Sequence, residues 1–323
     1  MLLVLLGYLL LVVGVVVFSA QLGNYVNLLD QKTSLASAFI GGVLLAAVTS
    51  LPELFTSLTS VLAVGKPALV IGNILGSNVF NLFVMGFVFL LYWKGLRSAY
   101  LTGSHRVTAI SSLVIYGILL FSLWSGKTFF FYGVSLISIV IFLLYAFSLR
   151  AMSGDEDTGD KESASPLSVK QIVTRFVFYA VLLVITSILI TYASDYLGES
   201  LGLGTTLAGA LLLGIVTSLP EMISCFVLAR MNNFNAIAGN ILGSCLFNFA
   251  IFLVADLAYW NRNLYVYDRQ AGLMLILGAV GMLASLFLCF ILGKKRENRP
   301  VGSAMLLSAV PVACYIAFVF LSA

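Results

Sequence analysis

The chain has 323 residues, of which 61% are hydrophobic and only 9% are charged, and its mean hydropathy is +1.09. This composition excludes a soluble globular domain and indicates a polytopic membrane protein. The formal net charge of +4 does not point to a nucleic-acid partner, because the distribution of basic residues is explained by membrane topology.

Ten apolar runs are long enough to cross a bilayer, for which an α-helix needs about 20 residues. The sequence therefore predicts an all-α fold with ten transmembrane helices, at about 2–20, 35–62, 67–92, 107–124, 129–149, 171–194, 203–229, 234–260, 271–293 and 303–322. The second, third, seventh and eighth runs are longer than a span requires, which predicts tilt or a break in each. The first run has no basic leader and no small-residue cleavage site, so we interpret it as a span.

The second and seventh spans contain the same pentapeptide, TSLPE, at Thr49–Glu53 and again at Thr217–Glu221. Each proline lacks a backbone N–H and clashes with the preceding turn, so both spans should bend or break there and free backbone carbonyls. The carbonyls concerned lie around Ala46, Thr49, Gly214 and Thr217. A glutamate inside a span is rare and marks a functional site by default, and here it occurs twice.

The third and eighth spans also share a motif, GNILGSNVFN at 72–81 and GNILGSCLFN at 239–248, which agree at eight of ten positions. Polar side chains recur at every fourth position and form one stripe on each helix: Asn73, Ser77 and Asn81, and Asn240, Ser244 and Asn248. With Ser50, Ser218 and the two glutamates, they supply oxygen ligands that suit calcium or sodium and not zinc or copper. The alternative, polar contacts that only hold helices together at about 0.6 kcal/mol each, does not explain the paired glutamates.

A polar segment near residues 151–168 holds five of the 13 acidic residues and predicts a cytoplasmic linker. It lacks the residue spacing of a calcium-binding loop. The linker at 151–170 divides the chain into a first five-helix repeat, 1–150, and a second, 171–323. Because five is an odd number, the second repeat enters the bilayer in the opposite sense, which predicts an inverted repeat.

The basic residues predict that both termini lie outside an inner or plasma membrane. With that orientation, four of the 17 Lys and Arg fall outside, and the other 13 fall in cytoplasmic loops. The four are Lys66, Lys127, Arg262 and Arg269.

Several other reactive residues receive structural interpretations. The four cysteines fall in apolar spans and are expected to be buried free thiols. His105 is expected to be a solvated loop residue. Asp256 has no acidic counterpart in the first half, and we interpret it as a helix-interface residue and not an ion ligand.

The paired TSLPE and GNILGS segments resemble the alpha repeats of the calcium/cation antiporter superfamily, and the chain looks most like a prokaryotic sodium/calcium exchanger. The resemblance covers all ten spans and is strongest at 41–92 and 209–255. It implies that the transported ions are calcium and sodium, with no cofactor, and that the first and sixth spans slide against the rest.

The resemblance also implies a role for each matching residue. Glu53 and Glu221 would be central ligands for both ions, and Thr49 and Thr217 would add backbone carbonyls for calcium. One sodium site would contain Ala46, Ser50 and Ser77. Its mirror image would contain Gly214, Ser218 and Ser244. Asn81 and Asn248 would complete the centre.

The leading hypothesis is a secondary antiporter that exchanges sodium for calcium by alternating access. Two glutamates balance one calcium ion, whereas three sodium ions leave a net charge of +1, so exchange at three to one would be electrogenic. The alternatives are a proton/calcium or potassium-dependent exchanger that uses the same glutamates, a cation channel, and an intramembrane enzyme. Some relatives have aspartate at the position of Asn248, and an aspartate in that region accompanies potassium co-transport in one branch of the superfamily. The neutral amide of Asn248 therefore favours independence from potassium.

Overall fold

The structure is a computed structural model that describes residues 2–33, 48–152, 167–294 and 301–322, and most of them are helical. The first half contains α1 (Leu2–Thr33), α2 (Leu51–Leu62), α3 (Pro67–Leu91), a 3-10 turn (Gly95–Arg97), α4 (Ser104–Ser125) and α5 (Leu136–Met152). The second half contains α6 (Val169–Ser200), α7 (Thr205–Thr217), α8 (Leu219–Arg230), α9 (Phe234–Ala258), α10 (Arg269–Leu292) and α11 (Gly302–Ser322).

Seven of the described helices are long and apolar enough to cross a bilayer, and α7 with α8 makes an eighth candidate that is bent by 43°. The chain is therefore a multi-pass helical membrane protein. Helix α2 and helix α5 are shorter, and residues 34–47, upstream of α2, lie outside the described ranges.

The predicted fifth span at 129–149 is wrong at its start. A short antiparallel hairpin, β1 (Phe130–Phe131) with β2 (Val134–Ser135), precedes helix α5, which begins at Leu136. The turn residues Tyr132 and Gly133 both have positive φ, 46° and 80°, as a tight hairpin turn requires.

The predicted break at TSLPE is confirmed in the seventh span. Ser218 interrupts the helix with φ −91° and ψ 2°, and a π-helical segment, Gly209–Gly214, lies just before it. Ser50 has nearly the same conformation, φ −92° and ψ 11°, immediately before α2. Both prolines therefore occupy the first turn of a new helix, where a missing N–H is tolerated. In contrast, α3 and α9 continue through their GNILGS motifs without a break.

Helices α3 and α9 occupy the centre of the molecule and are mostly buried, whereas α1 and α6 lie side by side at its periphery. Aromatic contacts join the peripheral pair, with the ring of Tyr179 stacked 5.7 Å from that of Tyr25. The opposite faces of α1 and α6 expose large apolar side chains, as expected for lipid contact. Tyr8 of α1 also donates a hydrogen bond of 2.6 Å to the carbonyl of Leu212 in the π-helical segment.

Two glycines allow α3 to cross directly against α7. A Cβ atom at Gly72 would lie 2.0 Å from the carbonyl oxygen of Thr206, and one at Gly76 would lie 2.5 Å from Cα of Ala210. Such distances are far below van der Waals contact, so a side chain at either position would force the helices apart. The close approach places the residues after Gly76 beside the break in the seventh span.

The structural interpretations of the reactive residues have mixed outcomes. All four cysteines are buried and free, as expected. Asp256 is buried and accepts hydrogen bonds of 2.7 Å from the Ser135 backbone and the Ser138 hydroxyl, so it is an interface residue that ties α9 to the hairpin and to the first turn of α5. The interpretation of His105 as solvated is wrong: α4 begins at Ser104, and the buried imidazole lies 2.9 Å from Oδ1 of Asn235.

One ion-pair cluster connects the loop before α3 to the end of α6. The ammonium of Lys66 lies 2.6 and 2.7 Å from the two carboxylate oxygens of Asp195 and 2.6 Å from Oε1 of Glu199. The two acids are four residues apart and so share one face of the helix. The contact fixes the end of a peripheral helix to the central part of the fold.

Candidate functional site

The two glutamates of the repeated pentapeptide lie at the centre of a shared polar cluster. Both are fully buried in the first turn of their helices, α2 and α8. Each accepts a hydrogen bond from the serine of the other half: Ser218 Oγ donates to Glu53 Oε1 at 3.3 Å, and Ser50 Oγ donates to Glu221 Oε1 at 3.5 Å. These reciprocal contacts bring the two carboxylates into one cluster.

The second carboxylate oxygen of each glutamate has no hydrogen-bond partner. Within the described part of the chain, Oε2 of Glu53 and Oε2 of Glu221 are both buried and unpaired. A buried charge without a compensating partner is strongly unfavourable, and two adjacent carboxylates make it worse. A bound cation would compensate both groups at once.

The serines of α3 and α9 complete two separate groups of oxygens. Ser244 Oγ donates to Glu221 Oε1 at 3.3 Å, the same atom that Ser50 contacts. Ser77 Oγ donates to the carbonyl of Gly214 at 3.1 Å and lies 3.4 Å from the hydroxyl of Thr217.

The hydrogen bonds pair these serines differently from the sodium groups implied by the family resemblance. That grouping places Ser77 with Ser50, and Ser244 with Gly214 and Ser218. Instead, Ser77 contacts Gly214, while Ser50 and Ser244 meet at Glu221. The reason is the helix crossing, because α3 packs through its glycines against α7 of the opposite half.

The two threonines lie in the last helical turn before each break. Thr217 is fully buried and donates to the carbonyl of Leu213 at 3.0 Å, and Thr49 is 6% exposed. The side chain of Thr217 lies beside the carboxylate of Glu53, and that of Thr49 lies beside the carboxylate of Glu221. Ala46, the remaining predicted site residue, lies outside the described residues.

The asparagines of the polar stripes divide by role. Asn81 is fully buried, and within the described residues neither of its amide atoms has a partner. Asn248 donates through Nδ2 to Asn78 Oδ1 at 3.0 Å. Asn73 instead turns towards α2, where it donates to the hydroxyls of Thr56 and Ser57 at 2.9 and 3.0 Å. Asn81 and Asn248 therefore remain candidate ligands, whereas Asn73 supports the helix that carries Glu53.

Sequence reasoning missed the part that Asn78 and Cys245 play in the cluster. Asn78 Nδ2 donates to the carbonyl of Cys245 at 3.2 Å, and the thiol of Cys245 lies 3.8 Å from the carbonyl of Asn78. These two residues occupy equivalent positions in the GNILGS motifs, where the two copies differ. The difference between the two copies at this position is the sequence signal that could have drawn attention to these residues.

Comparison with known proteins agrees with this architecture. The profile of the family described as sodium/calcium exchanger protein matches residues 3–149 and 170–323, which leaves out a short stretch at the predicted linker. A protein from Alkalimonas amylolytica named CaxA, and described as an antiporter, is 25% identical over 294 residues, which cover 87% of this chain and 88% of that protein.

Solved structures of exchangers share the fold. The H+/Ca2+ exchanger CAX superposes with a TM-score of 0.69 and 15% identity, covering 99% of this chain and 88% of that one. The sodium-calcium exchanger NCX_Mj superposes with a TM-score of 0.62 and 19% identity, covering 99% of both chains. The profile match over both halves is decisive: the chain belongs to the sodium/calcium exchanger protein family, within the calcium/cation antiporter superfamily, whose members are membrane transporters.

Proposed function

We propose that this protein is a secondary antiporter that exchanges sodium for calcium at a site built around Glu53 and Glu221. One observation carries the proposal: each glutamate is buried, bonded to a serine of the opposite half, and left with one unpaired carboxylate oxygen among the described residues. Two such oxygens in one cluster form a divalent cation site, since calcium prefers carboxylate ligands supplemented by neutral oxygens.

The neutral oxygens around the glutamates suit the remaining ligand positions. In the proposed central calcium site, Thr49, Thr217, Asn81 and Asn248 supplement the two carboxylates. One sodium ion would bind near Ser77, Gly214 and Ser218, and another near Ser50, Ser244 and Ala46. Calcium neutralises the two carboxylates, whereas three sodium ions leave one positive charge, so the exchange is proposed to be electrogenic.

The proposed architecture is ten spans arranged as two inverted five-helix repeats, 1–150 and 171–323, with both termini outside. Three observations support it: the family profile matches the two halves separately, Ser50 and Ser218 have nearly equal backbone angles, and basic residues concentrate in alternate loops. Alternating access would follow from sliding of α1 and α6, which lie at the periphery of the fold.

Sodium is favoured over protons as the coupling ion by the ligand set. Hydroxyl, carbonyl and amide oxygens can bind sodium, but these groups neither gain nor lose a proton at physiological pH. Among the described side chains, the third buried carboxylate is Asp256, and it is bonded to the hairpin, away from the glutamates. The rival is a proton/calcium exchanger, since a protein of that kind is among the similar structures.

The decisive experiment is calcium uptake by the purified protein in liposomes. We expect uptake when sodium is loaded inside and diluted outside at equal pH on both sides. Uptake should be faster when the membrane potential is positive inside, because one net positive charge leaves with each calcium ion that enters. Uptake driven by a proton gradient without sodium would instead establish the rival function. Dependence on potassium would identify the potassium-dependent alternative.

Substitution of the glutamates tests the proposed site. Glu53→Gln and Glu221→Gln should each lower sodium-driven calcium uptake by roughly a hundredfold or more, because each removes a charged ligand from a buried site. Asp256→Asn is the matched control: it neutralises a buried carboxylate outside the cluster and should lower thermal stability while uptake persists. Near-normal uptake by either glutamine variant would contradict the shared central site.

A further inference from the structure

We infer that Asn78 is a positioning residue, which orients the carboxamide of Asn248 so that the oxygen and not the nitrogen of that amide faces the cation. The inference rests on the proposed function. It is carried by two consecutive hydrogen bonds between the halves of the chain: Asn78 Nδ2 donates to the carbonyl of Cys245 at 3.2 Å, and Asn248 Nδ2 donates to Asn78 Oδ1 at 3.0 Å.

The direction of the two hydrogen bonds is fixed by the first acceptor, the backbone carbonyl of Cys245. A backbone carbonyl can only accept, so the carbonyl of Cys245 holds the NH₂ group of Asn78 and turns its oxygen towards Asn248. Asn248 can then bond to Asn78 Oδ1 only by donating from its own NH₂ group. Its Oδ1 is left buried and, within the described part of the chain, without a partner.

Orientation matters because a carboxamide has a donor end and an acceptor end, and a cation binds only the acceptor. If the Asn248 amide rotated by half a turn, its oxygen would face Asn78 Oδ1, and its NH₂ group would face the cation. Both contacts would be repulsive. Asn78 therefore selects the one rotamer that can ligate an ion before the ion arrives, which lowers the cost of ordering on binding.

The hydrogen bond to Asn78 orients Asn248 of the second half, and its equivalent is missing for Asn81 of the first half among the described residues. The counterpart of Asn78 in the second half is Cys245, whose side chain offers only a weak thiol in place of an amide. Asn81, the counterpart of Asn248, has no partner at either amide atom among the described residues. The two central asparagines are thus chemically identical but differently held, and only Asn248 presents a fixed oxygen.

A double-mutant cycle on equilibrium calcium binding to the purified full chain tests the inference. Asn78→Ala should raise the half-saturating calcium concentration roughly fivefold to tenfold, the worth of one lost hydrogen bond. In an Asn248→Asp background the same substitution should change it by less than about twofold, because a carboxylate has oxygens at both ends and needs no orientation. Asn78→Cys, the residue that the second half has at this place, is used in parallel in case the alanine variant does not fold.

The control is Asn235→Ala, which removes a carboxamide from the same helix as Asn248 but about 20 Å away, and should have equal effects in both backgrounds. An equal penalty for Asn78→Ala in both backgrounds would mean that Asn78 only holds the helices together, and no penalty in either would mean that it does nothing to the site; each result overturns the inference. Absence of calcium binding by the unsubstituted protein would overturn the proposed function first, before any variant is compared.

Discussion

At the level of single residues, the hydroxyls of Ser77 and Ser244 belong to two groups that share no hydrogen-bond partner among the described residues. Ser77 contacts Gly214 and Thr217, whereas Ser244 contacts Glu221. Each proposed sodium site has few ligands, so each ligand matters. Calcium takes six to eight oxygens and depends mainly on the carboxylates. The loss of one hydroxyl should therefore affect sodium more than calcium.

We predict that Ser77→Ala and Ser244→Ala each raise the half-saturating sodium concentration roughly threefold to tenfold, with a smaller change for calcium. Because the two groups are separate, the free-energy effects should add in the double variant. Sodium and calcium dependence of uptake in liposomes measures both. Ser285→Ala is the control, since that buried hydroxyl donates to its own helix at Gly281. Strong non-additivity would contradict separate sodium groups.

The limits of sequence reasoning at this scale are specific. Repetition of TSLPE pointed to Glu53 and Glu221, because an acid inside an apolar span is costly and its recurrence in related positions indicates a function. The partners of Ser77 and Ser244 could not be predicted, since they depend on where α3 crosses α7. The difference between Asn78 and Cys245 marked this position in the sequence, but the role of Asn78 could not be predicted, since its partners depend on how α3 packs against α9.

At the level of elements, the hydropathy pattern predicted helix positions well and helix ends less well. Helix α1 extends to Thr33, well past the predicted end at 20, because polar residues at the end of a long helix do not lower its helical propensity enough to stop it. The hairpin before α5 was missed because aromatic residues such as Phe129–Phe131 contribute equally to an apolar span and to a strand. The proline break was predictable from local chemistry alone.

The ion pairs between Lys66 and α6 lead to a prediction about movement of that helix. If α6 slides during transport, its bonds to Lys66 must break on the way to the transition state. Lys66→Ala should then speed exchange by up to about fivefold, a limit set by the roughly 1 kcal/mol of a partly exposed ion pair. Asp195→Asn should act similarly, the double variant should add little, and high salt should reduce the effect. Initial uptake rates in liposomes measure the change.

Lys127→Ala is the control for this prediction, because Lys127 is an exposed lysine in another loop. Equal rates in the Lys66 variant and the unsubstituted protein would mean that α6 does not move relative to this loop in the rate-limiting step.

The same contact bears on pH dependence. Burial acts to lower the pKa of Lys66, but its hydrogen bonds to Asp195 and Glu199 outweigh burial and raise the pKa above the ordinary value for lysine. A group whose pKa is raised on folding stabilises the structure fully below its unfolded pKa, and the stabilisation is lost only as pH rises through the folded value. Lys66 therefore keeps its charge near neutral pH, and a change in exchange rate in that range has its origin in a different group.

At the level of the whole molecule, the site is assembled from both halves of the chain. Ser218 bonds Glu53, Ser50 bonds Glu221, and Asn78 bonds Asn248, so every one of these contacts crosses between halves. In the proposed site, neither half alone would contain a complete set of ligands. The described ends of the linker at 151–170 contribute nothing to these contacts.

We therefore predict that the chain can be divided within 153–166 without loss of function. Co-expressed halves should associate and exchange calcium at a rate within about threefold of the intact chain, because the linker only raises their effective concentration. Each half expressed alone should bind no calcium. Binding and uptake by purified halves measure this, and calcium binding by one half alone would contradict a shared site.

Because these hydrogen bonds join the two halves of the chain, they can form only after the second half has been synthesised. Glu53 and its partner Ser218 are 165 residues apart in the chain. At about 5–20 residues per second, synthesis reaches Ser218 roughly 8 to 30 s after Glu53. Throughout that interval the nascent first half carries an acidic residue inside an apolar segment before its hydroxyl donor exists. A first half synthesised without the second keeps this acid without its hydroxyl donor until a second half associates with it.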